Sequence, residues 1–179
     1  MEKPKNPKAA RHRLNRMPKV QIIENIEGCF AEARKTAASG RHVVIVTPGR
    51  MVMLKKCSPP GSVSKELEAK MEAIIPSQVK QNVAVISYTD VFALGKDDHK
   101  AIPFMGFLIG FAYIGHAVWV FEGHPSALAA GCRDADVLFV DGGMVPYLQP
   151  DWLEIVSKVM RQPQVFIHDR ETYSLRKVL

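Results

Sequence analysis

Four apolar runs in this chain each end at a small cluster of polar or glycine residues. They are Val83–Ile86, His116–Phe121, Val137–Val140 and Val165–Ile167. A short, continuous apolar run that is bounded by turn residues is typical of a strand buried on both faces. Buried strands that alternate with helices form a parallel sheet, whose ligands bind beyond the carboxyl ends of the strands. The pattern therefore predicts the position of a site but not its function.

The segments around these runs complete the predicted fold. A further strand is predicted at residues 42–47, and helices are predicted at 21–38, 64–75, 101–114, 125–131 and 151–160. Residues 51–54 fit either a short strand or the start of an irregular loop, and the residues from Arg170 onward are predicted to form a short terminal helix. The 179 residues, 47% of them hydrophobic, suffice for one full core. We therefore expect a single Rossmann-like α/β domain with three layers and a mostly parallel sheet of about five strands.

Residues 1–19 differ in composition from the domain that we assign to residues 20–179. They hold seven basic residues and one acidic residue, a net charge of +6, whereas the rest of the chain holds 17 of each sign. Three prolines and the lack of an apolar stripe predict a disordered basic arm. Such an arm either contacts nucleic acid or an anionic surface by counterion release, or is only solvated. The arm is therefore the part of the chain for which we expect any contact with nucleic acid.

The composition also bears on the compartment. Residues 101–121 carry no formal charge, but Pro103, Gly106, Gly110 and Gly115 interrupt them, which favours a buried helix followed by a strand over a membrane-spanning helix. The arm lacks the apolar core of a secretory signal, although its composition is compatible with a transit peptide. Three cysteines without a CxxC motif argue against a disulfide framework, and the two at positions 29 and 132 are expected to pack on helices. These features predict a cytoplasmic protein.

The first polar cluster follows the run that ends at Phe121. Gly123 permits an unusual backbone angle or a close ligand approach, and Pro125 suits the first position of a helix. The N–H groups of that helix would bind an anion, with His124 and Ser126 beside it and Glu122 as an acid or base. The alternative is that these residues only cap a helix and make a turn.

The second cluster is Asp141-Gly142-Gly143. A carboxylate at a strand end can bind ribose hydroxyls or act as a general base, and the two glycines let a ligand lie against the backbone. The alternative is an aspartate that stabilises a tight turn.

Two further groups contribute candidates. His168 is a possible acid, base or ligand-binding residue, and Arg170 can hold an anion, unless this strand end is merely solvated. Asp90 follows the run at Val83–Ile86 and is a third candidate for an acid or base. No spacing is diagnostic of a metal site, so we assign no metal ligand, although several carboxylates and imidazoles lie at these strand ends. His42 and His116 lie beside strand starts, at the opposite edge, where we expect structural roles.

One part of the chain resembles the group formed by nucleoside deoxyribosyltransferases and TIR-like nucleotide hydrolases. The similar layout consists of a strand with a polar end, a charged loop, an apolar helix with glycines, and a glycine turn into a strand, at Val83–Asp90, Lys96–Lys100, Phe104–Tyr113 and Gly115–Val120. The resemblance implies a nucleoside- or nucleotide-directed enzyme. The sequence departs from the group in one respect, since the group's catalytic glutamate has no counterpart in residues 101–114.

Two functions are expected from these observations. The first is binding of a small anionic ligand, a nucleotide or a sugar phosphate, with hydrolase or transferase activity as its enzymatic form; the sequence does not name a cofactor. The second is a non-catalytic interaction module that binds nucleic acid or a protein assembly through the basic arm. Met144, Tyr147 and Leu148 are expected to be exposed apolar groups that can serve a homodimer.

Overall fold

The computed structural model describes the centre and the C-terminal half of the domain almost continuously. The described residues are 19–22, 26–39, 43–47, 50–53, 69, 72–76, 78–88, 108, 111–112, 115–169, 171–172 and 174–179. Eight strands are present: β1 (Lys19–Ile22), β2 (Val43–Thr47), β3 (Arg50–Met53), β4 (Asn82–Ile86), β5 (Ala117–Phe121), β6 (Val137–Asp141), β7 (Val165–His168) and β8 (Leu175–Lys177). The helices whose bounds lie within the described ranges are α1 (Ile26–Ala38), α2 (Leu128–Cys132), α3 (Trp152–Val159) and a 3-10 helix (Gly142–Tyr147). Residues 72–74, 108 and 111–112 are also helical.

All eight strands form one sheet, in the order β1-β3-β2-β5-β4-β6-β7-β8. The five central strands, from β2 to β7, pair in parallel, and the outer pairings at both ends are antiparallel. The prediction of an α/β domain with a mostly parallel sheet is thus confirmed. The sheet has eight strands rather than about five because antiparallel strands extend both edges of the five that the apolar runs predicted.

The sequence patterns misplaced both edges of the sheet. Lys19, assigned above to the arm, belongs to β1 and pairs with Met53 of β3. Because β1 occupies residues 19–22, α1 begins at Ile26 rather than near residue 21. The segment at residues 51–54 is a strand, since β3 forms a hairpin with β2. The predicted terminal helix is wrong, because residues 175–177 pair antiparallel with β7. Edge strands are short and partly solvated, so they lack the apolar run that marks a buried strand.

Both faces of the sheet are covered, which makes three layers. On one face, α1, α2, the 3-10 helix and α3 pack on alternate strand residues such as Ala84, Trp119 and Leu138. On the other face, Ile74, Ile75, Leu108, Phe111 and Ala112 pack on the intervening residues of the same strands. Since a strand covered on both faces buries every side chain, the five residues of β5 and of β6 are all buried.

Two buried polar side chains show how the sheet is secured away from its carboxyl edge. The indole Nε1 of Trp119 donates to the carbonyl oxygen of Gly131 at 2.8 Å and so fixes α2 on β5. His116 is buried at the start of β5, where its Nδ1 accepts from the backbone N–H of Gln81 at 3.1 Å. Burial lowers the pKa of His116, because the charged imidazolium is desolvated there. His116 therefore has a structural position at the opposite edge, as expected, whereas His42 lies outside the described residues.

The uncharged stretch at residues 101–121 divides as predicted at Gly115, since β5 starts two residues later. No helix in the described ranges is long and apolar enough to cross a membrane. Cys29 and Cys132 are buried on α1 and α2, in agreement with a packing role, and burial raises the pKa of Cys132 to about 12.

The connections between the parallel strands leave the sheet on different faces. Between β4 and β5, the described residues Leu108, Phe111 and Ala112 pack on one face. After β5 and after β6 the chain passes over the other face, through α2 and α3. Because β4 lies between β5 and β6 in the sheet, the connections diverge on both sides of its carboxyl end. Such divergence points are where open α/β sheets form a crevice for ligands.

Candidate functional site at the carboxyl edge of the sheet

Ser87, the first residue after β4, joins the ends of three strands. Its backbone N–H donates to the carbonyl oxygen of Phe121 on β5 at 3.0 Å. Its hydroxyl donates to Oδ2 of Asp141 on β6 at 3.1 Å, and both side chains are buried. The floor of the crevice is therefore a rigid, hydrogen-bonded unit.

Asp141 supports this floor and does not face solvent. Its second oxygen, Oδ1, accepts from the backbone N–H of Gly143 at 3.0 Å, so the carboxylate also starts the 3-10 helix. Only 1% of the residue is exposed. The structure thus gives Asp141 the turn-stabilising role that was the alternative to ligand contact.

The aromatic wall of the crevice comes from the segments that follow β4 and β6. The Tyr88 hydroxyl donates to the carbonyl oxygen of Gly143 at 3.2 Å. The ring of Tyr88 meets that of Tyr147 edge to face, with ring centres 6.5 Å apart. Tyr147 is 73% exposed and is the large side chain that this wall presents to a ligand.

The glycines of the site are required by packing. Gly123 has a φ of +77°, and a Cβ on it would lie 2.7 Å from Leu148 Cδ2 and 2.9 Å from Ile86 Cγ2. A Cβ on Gly142 would lie 2.7 Å from the carbonyl oxygen of His168. Contacts this short have no room for a side chain, so both glycines let strand ends and the 3-10 helix approach one another.

The segment after Gly123 differs from the predicted helix start. Residues 125–127 form a turn, and α2 runs from Leu128 to Cys132 instead of starting at Pro125. The N–H groups of Ala127 and Leu128 both donate to the carbonyl oxygen of His124, at 2.8 and 3.0 Å. The prediction that free N–H groups of a helix at residues 125–131 bind an anion is therefore wrong. The N–H groups of Ala127 and Leu128, which a phosphate would have used, already donate to the backbone carbonyl oxygen of His124.

The ring of His124 is held by Ser126 through one of its two nitrogens. The Ser126 N–H donates to His124 Nδ1 at 3.3 Å, and the Ser126 hydroxyl lies 2.8 Å from the same atom. An amide N–H can only donate, so Nδ1 is an acceptor and the neutral ring carries its proton on Nε2. Ser126 thus orients His124, whose Nε2–H is the donor at the rim of the site.

Two adjacent hollows share this rim. The edge cleft lies at the carboxyl end of β4, between the segments that follow β4, β5 and β6, and the Phe30 pocket lies between α1 and the end of β5. The edge cleft is lined by Tyr88, Glu122, Gly123, His124, Pro125, Met144 and Tyr147. The Phe30 pocket is lined by Ile26, Phe30, Val46, Phe121, Glu122, Gly123, His124, Ser126 and Ala127. Glu122 and His124 are exposed and belong to both, so they stand between an aromatic cleft and an apolar pocket.

The structure brings most of the predicted site residues to one edge but not to one surface. Glu122, Gly123, His124 and Ser126 line the two hollows. Gly142 and Gly143 line a separate hollow beside β7, and His168 is buried opposite Asp141 in the β6–β7 register. Asp90 and Arg170 lie outside the described residues.

The three apolar groups that were expected to be exposed differ from one another in the structure. Met144 and Leu148, expected to be exposed, are 6% and 8% exposed, because the 3-10 helix turns them into the core; of the three apolar groups only Tyr147 is on the surface. Within the described ranges, no group of three or more His, Cys, Asp or Glu side chains is placed to hold a metal ion.

The residues that sequence patterns did not assign to the site are Ser87, Tyr88 and Tyr147. Ser87 and Tyr88 belong to the polar segment after Val83–Ile86, which carried the signal of a strand end. Their partners, Asp141 and Gly143, lie more than 50 residues away in sequence, so no local spacing shows the contacts. Comparisons of the chain with models of protein families, with curated proteins and with solved structures found no match.

Proposed function

We propose that this α/β domain binds a small anionic metabolite, a nucleotide or a sugar phosphate, in the edge cleft. The observation that carries the proposal is the position of the cleft at the carboxyl end of β4, where the chain connections diverge on both sides. The cleft is concave, has an aromatic wall and offers convergent polar groups, which are the general properties of a metabolite site.

Two side chains on the rim would make the polar contacts. His124 presents Nε2–H to an acceptor such as a phosphate or carbonyl oxygen, and Glu122 presents a carboxylate to hydroxyl or amino groups. The described lining of the cleft holds neither Lys nor Arg. The contacts that the described lining offers are therefore directed hydrogen bonds.

The enzymatic form of the proposal is a hydrolase or transferase that acts on a nucleoside or nucleotide. Glu122 is the acid or base in that case, because it is exposed on the rim whereas Asp141 is buried and bonded through both oxygens. The resemblance in layout to nucleoside-directed enzymes supports the ligand class. Its apolar helix lies largely outside the described residues, as does Asp90.

The experiment is a thermal-shift screen of the full chain against nucleotides, nucleosides and sugar phosphates. A ligand at a hundredfold excess over its dissociation constant should stabilise the fold by about 2.7 kcal/mol. His124→Ala and Glu122→Gln should each weaken binding about tenfold, since the first removes a hydrogen-bond donor and the second replaces a charged acceptor by a weaker, neutral one. Glu154→Gln is the control, because Glu154 lies on α3 in an exposed pair with Lys158. Unchanged affinity in both rim variants would exclude the edge cleft as the site.

A second candidate function is a non-catalytic interaction module in which the arm binds nucleic acid or a protein assembly, and the homodimer expected above is compatible with either function. The observation that favours it is the placement of the whole net charge of +6 in residues 1–19. Deleting residues 1–17, which leaves β1 intact, should then abolish binding to a DNA or RNA duplex. The affinity of the full chain should fall steeply with salt, because each neutralised phosphate releases counterions. Equal binding of the full and shortened chains to the same duplex would rule this function out.

A further inference from the structure

The Phe30 pocket has apolar walls that come from four different elements. Phe30 lies on α1, Val46 on β2, Phe121 on β5, and Ala127 directly before α2. The rings of Phe30 and Phe121 pack edge to face with centres 5.1 Å apart and an angle of 79°, and each residue is 1% exposed. Core residues held in this way keep their positions, so the pocket is preformed.

The polar groups of this pocket lie only at its rim. The Nε2–H of His124 is a donor and the Glu122 carboxylate is an acceptor, and one buried glycine separates the two residues. A flat ring that carries an acceptor and a donor on one edge can use both groups while its faces contact the apolar walls. A sugar phosphate would place hydroxyl groups against Phe30, Val46 and Phe121, where they have no hydrogen-bond partner, and this is costly.

We propose that the Phe30 pocket binds a heterocyclic ring of nucleobase type, and that the ligands of this edge are therefore nucleosides and nucleotides and not sugar phosphates. The inference rests on the proposed function and names the ligand within it. Because Glu122, Gly123 and His124 line the pocket and the edge cleft together, a ring in the pocket extends its sugar into the cleft.

The test compares ligands that share a sugar phosphate but differ in the ring. The full chain is titrated by calorimetry with the 5′-monophosphates of adenosine, guanosine, cytidine and uridine, and with ribose 5-phosphate. At least one nucleotide should bind about tenfold or more tightly than ribose 5-phosphate. Ala127→Met, which extends a side chain into the pocket, should abolish most of that difference. Ala129→Met is the matched control, since Ala129 lies two residues further along, in α2, and outside the pocket lining, and it should leave all affinities unchanged.

The possible results separate the two proposals. If ribose 5-phosphate binds as tightly as every nucleotide, the ring assignment is wrong and the proposed function stands. If neither nucleotides nor ribose 5-phosphate bind, both proposals are wrong. The ratio of affinities in the unaltered chain decides the inference even where the methionine variant fails to fold.

Discussion

Replacing Gly123 with alanine is expected to lower the free energy of unfolding by about 2–5 kcal/mol. The backbone at Gly123 has a φ of +77°, which costs an L side chain about 1–2 kcal/mol. The new Cβ would also lie within 3 Å of Leu148 and of Ile86, both in the core, and such overpacking adds about 1–3 kcal/mol. Because Gly123 separates Glu122 from His124, the shift that relieves the contact would also displace both rim residues.

Gly115 provides the matched control for this change. It also has a positive φ, of +109°, but a Cβ on it would meet no atom within 4 Å. Gly115→Ala should therefore lose only the backbone part, about 1–2 kcal/mol. Urea unfolding of the three proteins, with midpoints compared at constant slope, measures the difference. If Gly123→Ala is no less stable than Gly115→Ala, the close contacts at Gly123 do not constrain the fold.

Replacing Asp141 with alanine is expected to cost about 2–4 kcal/mol, because one buried and one partly buried donor then lose a charged acceptor. The donors are the Ser87 hydroxyl and the Gly143 N–H, at 3.1 and 3.0 Å. Asp141→Asn should cost only about 1 kcal/mol, since the amide oxygen can still accept from Gly143 while its N–H₂ donates to Ser87.

A double-mutant cycle with Ser87→Ala isolates the pair. The combined loss in the double variant should be smaller than the sum of the single losses, since the Ser87–Asp141 bond is removed only once. Additive losses would show that Ser87 and Asp141 do not stabilise the fold together. The claim that they form one hydrogen-bonded unit at the floor of the crevice would then be wrong. The same urea unfolding experiment supplies all four values.

The central strands could be predicted from sequence for a physical reason. A parallel strand covered on both faces, such as β4 or β6, consists mainly of consecutive apolar residues, so it can be recognised from its own sequence without knowledge of the strands it pairs with. The edge strands β1 and β8 form through pairing with β3 and β7, so their own residues carry no such run. The edge of the sheet at which the candidate residues lie followed from the strand ends for the same reason.

The detailed roles within the site depend on contacts between distant residues, which sequence patterns do not show. The sequence around Asp141 is compatible with a general base, and only the hydrogen bond with Ser87, 54 residues away, indicates a structural role. Pro125 is typical of a helix start, but the N–H groups of Ala127 and Leu128 donate to the carbonyl oxygen of His124 in a turn that precedes α2. The sequence thus predicted that the described candidates lie at one edge of the sheet, and the tertiary contacts decide which of them line the two hollows.

The position of β4 has a consequence for how this chain is made. Both neighbours of β4 in the sheet, β5 and β6, come later in the sequence. During synthesis β4 therefore emerges before either partner strand, as an apolar segment with two open edges of the kind that promote aggregation. The central pairing can close only after residue 141 has left the ribosome, so folding of the domain core awaits translation of most of the chain.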